Sequence, residues 1–266
     1  MKRIVTFMLL VVLTQPLVFA QKHPKTQSLS EDQRIIHVLN RLGFGARPGD
    51  VERVKAMGVE KYIEQQLNPE KIPDTVAENK VRELSILSMT TAELYEKYPQ
   101  PGQLLRQLQA RGKLPAEMAD DAPKNNQGAP PANLLDNEKN RQAIQEYYRE
   151  NGLQRPQRII DELQASRIVR AVYSERQLQE VMVDFWTNHF NIFANKGADR
   201  WLLPAWDRDT IRPNAMGKFS TLLEATAQSP AMLFYLDNFQ SVSPNANRNA
   251  RQRPDARRPF LDLLGG

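Results

Sequence analysis

One histidine lies in a setting that could support acid–base chemistry. His189 follows Phe185 by four residues, within the stretch 175–238 that holds all three tryptophans of the chain. Residues three or four positions apart share one helix face, so we expect His189 to face inward beside aromatic rings. A desolvated imidazole could act there as a general base or a metal ligand. The alternative is a buried histidine that bonds a backbone carbonyl or a carboxylate and ties two helices together.

Polar residues recur on the opposite side of the same predicted helix. Glu180, Asp184 and Asn188 follow one another at four-residue steps. Asp184 could act as a catalytic partner of His189. Alternatively, the three residues form a solvated polar face.

A mixed-charge cluster follows at Asp207, Arg208, Asp209 and Arg212. Asp207 or Asp209 could serve His189 as an acid or base. Arg212 could bind a carboxylate or phosphate through two parallel N–H groups. The alternative is a salt-bridge network that holds helix ends and stabilises the fold only slightly where it is exposed.

Several residues are candidates for binding rather than catalysis. The set comprises Trp186, Asn188, Arg212, Asp237, His37, Asn40 and Arg41. The tryptophans could line a ligand cleft, although large aromatic residues in helical proteins usually belong to the core. His37 shares a helix face with Asn40 or Arg41, and we expect these residues to form a buried polar latch onto the central helices.

The composition excludes several chemistries. There is no cysteine, which excludes disulfides, thiolate catalysis, covalently attached c-type haem and a lipid anchor on cysteine. The chain contains no G-x-S-x-G, no H-E-x-x-H, no phosphate-binding glycine loop and no EF-hand pattern. With three histidines, a zinc site would need carboxylates from distant segments. We therefore predict no cofactor and no metal, and the sequence leaves open whether the protein is an enzyme.

The N-terminus is typical of a secretory signal peptide. Lys2 and Arg3 precede an apolar run at residues 4–13, and small residues Val18 and Ala20 precede the expected cleavage after Ala20. An uncleaved membrane anchor is the alternative, but the run is shorter than the ~20 residues that a spanning helix needs. We predict an exported protein, periplasmic or secreted, with no membrane anchor after cleavage.

The charge balance bears on partners. Loss of Lys2 and Arg3 with residues 1–20 lowers the formal net charge from +5 to +3. That excess is too small to indicate a nucleic-acid partner or an anionic membrane surface.

Helical periodicity predicts an all-α protein, an irregular multi-helix bundle over residues 30–240. A polar leader covers residues 21–29. Residues 112–137 collect prolines without periodicity and are predicted to be a surface excursion or a disordered linker, and the arginine-rich residues 241–266 a disordered tail.

Two helices are expected to position the candidate residues. A helix over residues 156–173 has apolar residues around more than half of its circumference, which predicts a central position. The next helix should pack against it as a hairpin. Its predicted inward face carries Leu178, Val181, Met182, Phe185, His189 and Phe193.

Three stretches carry a family resemblance. They are H-V-L-N-R-L-G-F-G at residues 37–45 with P-G-D at 48–50, F-W-T-N-H-F-N at 185–191, and residues 209–238 from D-T-I-R-P to S-P-A-M-L-F-Y-L-D-N. They resemble the bacterial domain of unknown function 1800 family. The resemblance implies an exported, mostly helical protein of uncharacterised biochemistry.

The resemblance also bears on length and partners. Family members usually continue with a segment of the form N-E-N-Y-A-R-E-L-x-E-L-H, whereas this chain ends P-F-L-D-L-L-G-G. The chain therefore resembles an N-terminal portion of the family. Members are often encoded beside a second exported family that resembles sulfatases and alkaline phosphatases.

Two functions follow as hypotheses. The first is an exported binding or assembly module that works with a sulfatase-like exported protein. The second is an acid–base hydrolase that uses His189 with Asp184, Asp207 or Asp209. The sequence predicts no oligomeric state.

Overall fold

A computed structural model describes residues 29–111 and 138–241. Every regular element in these two ranges is helical, which confirms the predicted all-α class. The predicted signal peptide, nearly all of the leader, the linker at 112–137 and the tail beyond residue 241 lie outside the described residues. No helix within the described ranges has the length and apolarity needed to cross a membrane.

The N-terminal helices pack on one another around a small core. They are α1 (Glu31–Leu42), α2 (Asp50–Met57) and α3 (Val59–Leu67). Helix α1 begins with a capping box: Gln33 N donates to Ser30 Oγ at 3.2 Å, and Ser30 N donates to Gln33 Oε1 at 3.0 Å. The shared core consists of Ile35, Leu39, Val54 and Tyr62.

Four further helices lead to the centre of the protein. They are α4 (Thr75–Arg82), α5 (Thr91–Lys97), α6 (Pro101–Ala110) and α7 (Glu138–Glu150). Helices α6 and α7 share a separate small cluster of buried residues, formed by Leu104, Leu105, Leu108, Ile144 and Tyr148.

Helix α8 (Gln157–Tyr173) packs against α4, α9 (Gln177–His189) and α10 (Asp199–Ala205), which confirms its central position. The short connection from α8 to α9 is held by hydrogen bonds from residues that lie far earlier in the chain. Asp74 Oδ2 accepts from Ser174 Oγ, and Asp74 Oδ1 accepts from Glu175 N, both at 2.8 Å. Gln66 donates to the Glu175 carbonyl and accepts from Leu178 N, which satisfies one N–H in the first turn of α9.

Helix α10 continues without a break into a π-helical segment, Trp206–Ile211, and a short turn, α11 (Arg212–Asn214). Helix α10 begins at Asp199 and contains Pro204. Trp201, Trp206 and Ile211 are fully buried here. The chain then forms α12 (Phe219–Gln228), α13 (Pro230–Tyr235) and a final 3-10 turn, Asn238–Gln240.

The predicted inward face of α9 is wrong. Phe185 and Phe193 are 52% and 57% exposed, and His189 is exposed as well. The buried residues of α9 are Gln177, Glu180 and Val183. The carboxylate of Glu180 on this face meets the partly buried guanidinium groups of Arg212 on α11 and Arg170 on α8.

Candidate functional site

A buried charge network joins α8, α9 and the π-helical segment. Arg212 Nη1 donates to both carboxylate oxygens of Glu180, at 2.8 and 2.9 Å. Glu180 is only 5% exposed, so the prediction that Glu180 could lie on a solvated face is wrong. Arg212 Nε also lies 3.6 Å from Asp207 Oδ2. Burial of carboxylates this deep requires paired cations.

Two arginines of α8 complete the network. Arg167 Nη2 donates to Asp207 Oδ1 at 3.2 Å and to Thr187 Oγ1 at 3.4 Å. Arg170 Nη1 lies 3.9 Å from Glu180 Oε1. The network therefore holds three arginines and two carboxylates, which leaves one formal positive charge.

The arginines respond differently to burial. Burial, together with the neighbouring guanidinium of Arg212, lowers the pKa of Arg170 from its ordinary value. Burial would also lower the pKa of Arg212, but the carboxylates of Asp207 and Glu180 outweigh it and raise that pKa. Arginine stays protonated in either case, so the excess positive charge persists.

The π-helical segment brings Asp207 and Arg212 together. The backbone N–H of Arg212 donates to the carbonyl of Asp207, five residues earlier. In an α-helix, residues five apart point about 140° away from each other, because each residue turns the helix by about 100°. The wider π turn instead stacks them on one side. Single π turns are rare and often occur at functional sites.

A cavity of about 180 Å³ opens beside this network. Its polar lining includes Arg167, Glu180 and Arg212, and its apolar lining includes Phe44 and Ile168. Of the predicted catalytic residues, only Asp184 contributes to the lining.

A second feature is a group of aromatic rings at the end of α9, which we call the aromatic face. Its residues are Phe185, Trp186, His189, Phe190 and Phe219. The His189 ring lies 4.8 Å from the Phe190 ring, 5.6 Å from the Trp186 ring and 6.1 Å from the Phe185 ring, between centroids. Trp186 is partly buried, and its Nε1 donates to the Ala215 carbonyl at 3.0 Å.

The predicted catalytic residues do not converge. Within the described residues, no carboxylate hydrogen-bonds or ion-pairs with His189, whose contacts are to the three rings. Asp184 accepts from the Asn188 amide at 3.4 Å. Asp209 is exposed and forms a two-point ion pair with Arg208, at 2.6 and 2.7 Å. The catalytic assignment of His189 stays a prediction.

The remaining predicted binding residues lie apart from the network. His37, Asn40 and Arg41 are all exposed on α1, so the predicted buried latch is wrong. Asp237 adopts a left-handed backbone conformation, with φ 56°, and forms an ion pair with Lys196 at 3.0 Å.

Sequence reasoning missed Asp199. Its side chain is fully buried, and neither carboxylate oxygen has a hydrogen-bond partner within the described residues. Burial raises its pKa to about 7; Lys196 acts in the opposite direction and Asp237 adds to the shift. Acidic residues are common at helix starts, where they interact with the helix dipole while exposed. The position of Asp199 in the sequence therefore gave no indication that its side chain is buried.

Among the residues that the structure describes, no group of three or more histidine, aspartate or glutamate side chains is arranged to hold a metal ion.

The fold and the site define an all-helical protein with a buried arginine–carboxylate network and an exposed aromatic face. The family model described as "Protein of unknown function (DUF1800)" matches residues 37–251. The chain belongs to this family, which confirms the resemblance found in its motifs. No curated protein and no solved structure matches the chain.

Proposed function

We propose that the protein is an exported binding or assembly module that docks a sulfatase-like exported protein on its aromatic face. The observation that carries this proposal is the exposure of Phe185 and Phe219, which are 52% and 53% exposed beside Trp186. Exposed apolar residues that form one contiguous patch are typical of interaction sites, whereas singly scattered ones are not. Aromatic residues also dominate the buried centres of protein interfaces.

The central ring of the aromatic face, Trp186, is anchored to the core. Trp186 packs against the main core and is fixed by its hydrogen bond to Ala215. The rings of Phe185 and Phe219 lie 4.8 and 5.7 Å from the Trp186 ring. A ring that is already fixed, as Trp186 is, loses little conformational entropy on binding, which favours a stable complex.

The choice of partner rests on the family resemblance and on the predicted signal peptide. A chain exported to the periplasm or beyond would meet the sulfatase-like exported proteins that family members are often encoded beside. The aromatic face would then bury its rings against apolar side chains of that protein.

The alternative of an acid–base hydrolase has less support. A general base needs a group that orients its imidazole and a substrate cleft beside it. Around His189, the described contacts are aromatic rings, and Asp209 is held by Arg208.

The experiment is a binding titration with a purified exported protein of the sulfatase-like family that members of this family are often encoded beside. We expect the double variant Phe185→Ser/Phe219→Ser to bind about tenfold more weakly or worse, as loss of interface hot spots does. Val76→Ser is the matched control, because Val76 is an equally exposed apolar residue on α4. Absence of binding by the wild-type chain, or equal binding by the double variant, would refute the proposal.

A further inference from the structure

A second, larger cavity of about 520 Å³ is lined by residues of α6, α7, α10 and the start of α8. Its volume lies within the roughly 300–1,000 Å³ that small-molecule sites occupy. The apolar and aromatic part of the lining is formed by Pro101, Ile144, Tyr148 and Pro156. Ile144 and Tyr148 are almost fully buried, so the cavity offers apolar surface to the body of a small organic molecule.

The charged residues of this lining are all positive. They are Arg141, Arg155 and Arg200, and no aspartate or glutamate among the described residues lines the cavity. Arg141 is compensated, because its Nη2 lies 2.6 Å from Glu138 Oε2. The hydrogen-bond partner of Arg200 is the neutral side chain of Asn195. Within the described ranges no carboxylate pairs with Arg155 or Arg200, so two positive charges at the cavity have no anion.

Arg155 acts on the apolar side of the cavity. Burial raises the pKa of the Tyr148 hydroxyl to about 12, and the positive charge of Arg155 acts in the opposite direction. The guanidinium of Arg155 is therefore within electrostatic range of the Tyr148 hydroxyl. That hydroxyl is neutral near pH 7 and donates to the Pro99 carbonyl, so it does not compensate the charge of Arg155.

Two helix N-termini add to the positive potential. Helix α6 begins at Pro101 and α8 at Gln157, and both Gly102 and Gln157 belong to the cavity lining. N–H groups in the first turn of a helix have no acceptor within it and carry partial positive charge. Phosphate groups bind such N–H groups. The helix ends thus strengthen the preference for an anion that the arginines set.

The charge count favours a doubly charged anion. One carboxylate group would neutralise only one of the two uncompensated arginines, Arg155 and Arg200. A phosphate monoester carries close to two negative charges at neutral pH, and its oxygens accept several hydrogen bonds. The planar guanidinium group also matches phosphate through two parallel N–H groups.

We propose that this cavity binds a phosphate monoester that is carried on an apolar body. The phosphate would be held by Arg155 and Arg200, and the apolar body would lie against Ile144 and Tyr148. The proposed site shares no residue with the aromatic face, so it is independent of the docking of a protein there.

The first test is calorimetric titration of the full chain with phenyl phosphate, phenol, inorganic phosphate and benzoate. We expect saturable binding of phenyl phosphate. Phenol and inorganic phosphate should each bind about tenfold more weakly or worse, because phenol lacks the charge and inorganic phosphate lacks the apolar body. Benzoate should also bind more weakly, since it carries one negative charge rather than two.

Four results of this titration would overturn the proposal. They are no saturable binding of phenyl phosphate, equal or tighter binding of phenol, equal or tighter binding of benzoate, and equal or tighter binding of inorganic phosphate. The last result would identify the cavity as a site for an adventitious ion only.

The second test is the variant Arg155→Gln. Arg155 is exposed and pairs with no carboxylate of the described residues, so its replacement leaves no buried charge unpaired. We expect phenyl phosphate to bind about tenfold more weakly, because a hydrogen bond between two charged groups is lost. The affinity for phenol should stay within about twofold, since phenol carries no charge.

The matched control is Arg82→Gln, which makes the same change of net charge. Arg82 is an exposed arginine on α4 and lies outside the cavity lining. It should leave the affinity for phenyl phosphate within about twofold, because salt screens a distant surface charge. If Arg155→Gln binds phenyl phosphate as tightly as the wild type, or Arg82→Gln weakens binding equally, the arginines of this cavity do not form a phosphate site.

Discussion

The carboxylate of Asp207 and the guanidinium of Arg212 lie on the same side of one helical segment although five residues separate them. Arg212 Nε is 3.6 Å from Asp207 Oδ2, and the Arg212 backbone N–H donates to the Asp207 carbonyl. The π turn thereby leaves Arg212 Nη1 to reach across to Glu180 on α9. The π turn therefore positions Arg212 between Asp207 and Glu180, and this links the backbone geometry to the packing of α9.

Removal of the Glu180 carboxylate should destabilise the protein strongly. Glu180→Ala leaves the Arg212 guanidinium buried with its main partner gone, and breaking a buried pair from one side costs about 3–5 kcal/mol. The measurement is the free energy of unfolding from urea titration. Asp184→Asn, one turn along α9 and exposed, is the matched control and should change that free energy by no more than about 0.5 kcal/mol.

The double variant Glu180→Leu/Arg212→Met separates the cost of an unpaired charge from the value of the pair. Replacement of both partners by apolar residues of similar size is often neutral or stabilising. We expect the double variant to recover most of the loss that Glu180→Ala shows. Equal instability of both variants would contradict this account of the network.

Asp199 should make stability depend on pH. Its pKa is raised from 3.8 to about 7 in the folded protein by burial, so the folded protein holds this proton more tightly than the unfolded chain. The contribution is fully favourable below about pH 4 and is lost as the pH rises to about 7, at about 1.4 kcal/mol per pH unit.

The check is the free energy of unfolding across that pH window for the wild type and for Asp199→Asn. The asparagine cannot ionise, so this part of the pH dependence should vanish. Asp161→Asn, an exposed acid on α8, is the control and should retain it. An unchanged slope in Asp199→Asn would show that Asp199 does not bind a proton in the folded protein.

The sequence predicted the helical class and the central position of α8 because those features depend on local residues and on periodicity. It failed for α9. From the periodicity of α9 alone, the apolar stripe through Phe185 is predicted to face the core. The partner that buries Glu180 lies 32 residues away at Arg212. That partner is in reach only because of a π turn, for which the sequence carries no recognisable signal.

The charge network was predicted only in part for the same reason. Arg212 was recognised as an anion-binding candidate from its neighbours in the chain. Arg167 and Arg170 lie on α8, whose many apolar residues predicted a central helix and gave no indication of a charged face. Asp199 was marked in the sequence only by its position at a helix start. Long-range pairing of buried charges depends on packing, and no local pattern encodes it.

Gly197 should tolerate alanine poorly, for two separable reasons. Its φ is 50°, and an added Cβ would lie 2.9 Å from the Phe234 ring carbon Cζ. Gly152 has a comparable φ of 64° but open space around it. Alanine in the left-handed region costs about 1–2 kcal/mol, so Gly152→Ala should lose about that much free energy of unfolding.

Gly197→Ala should lose that amount and about 1–3 kcal/mol more, because Phe234 packs on the main core and overpacking there forces it to shift. Thermal or urea unfolding of the two alanine variants measures the difference directly. Because Phe234 follows on α13 and Gly197 precedes α10, the extra loss reports the contact between the turn before α10 and α13. Equal losses in the two variants would mean that the Phe234 ring moves aside freely, and that this contact contributes little to holding α13 against the core.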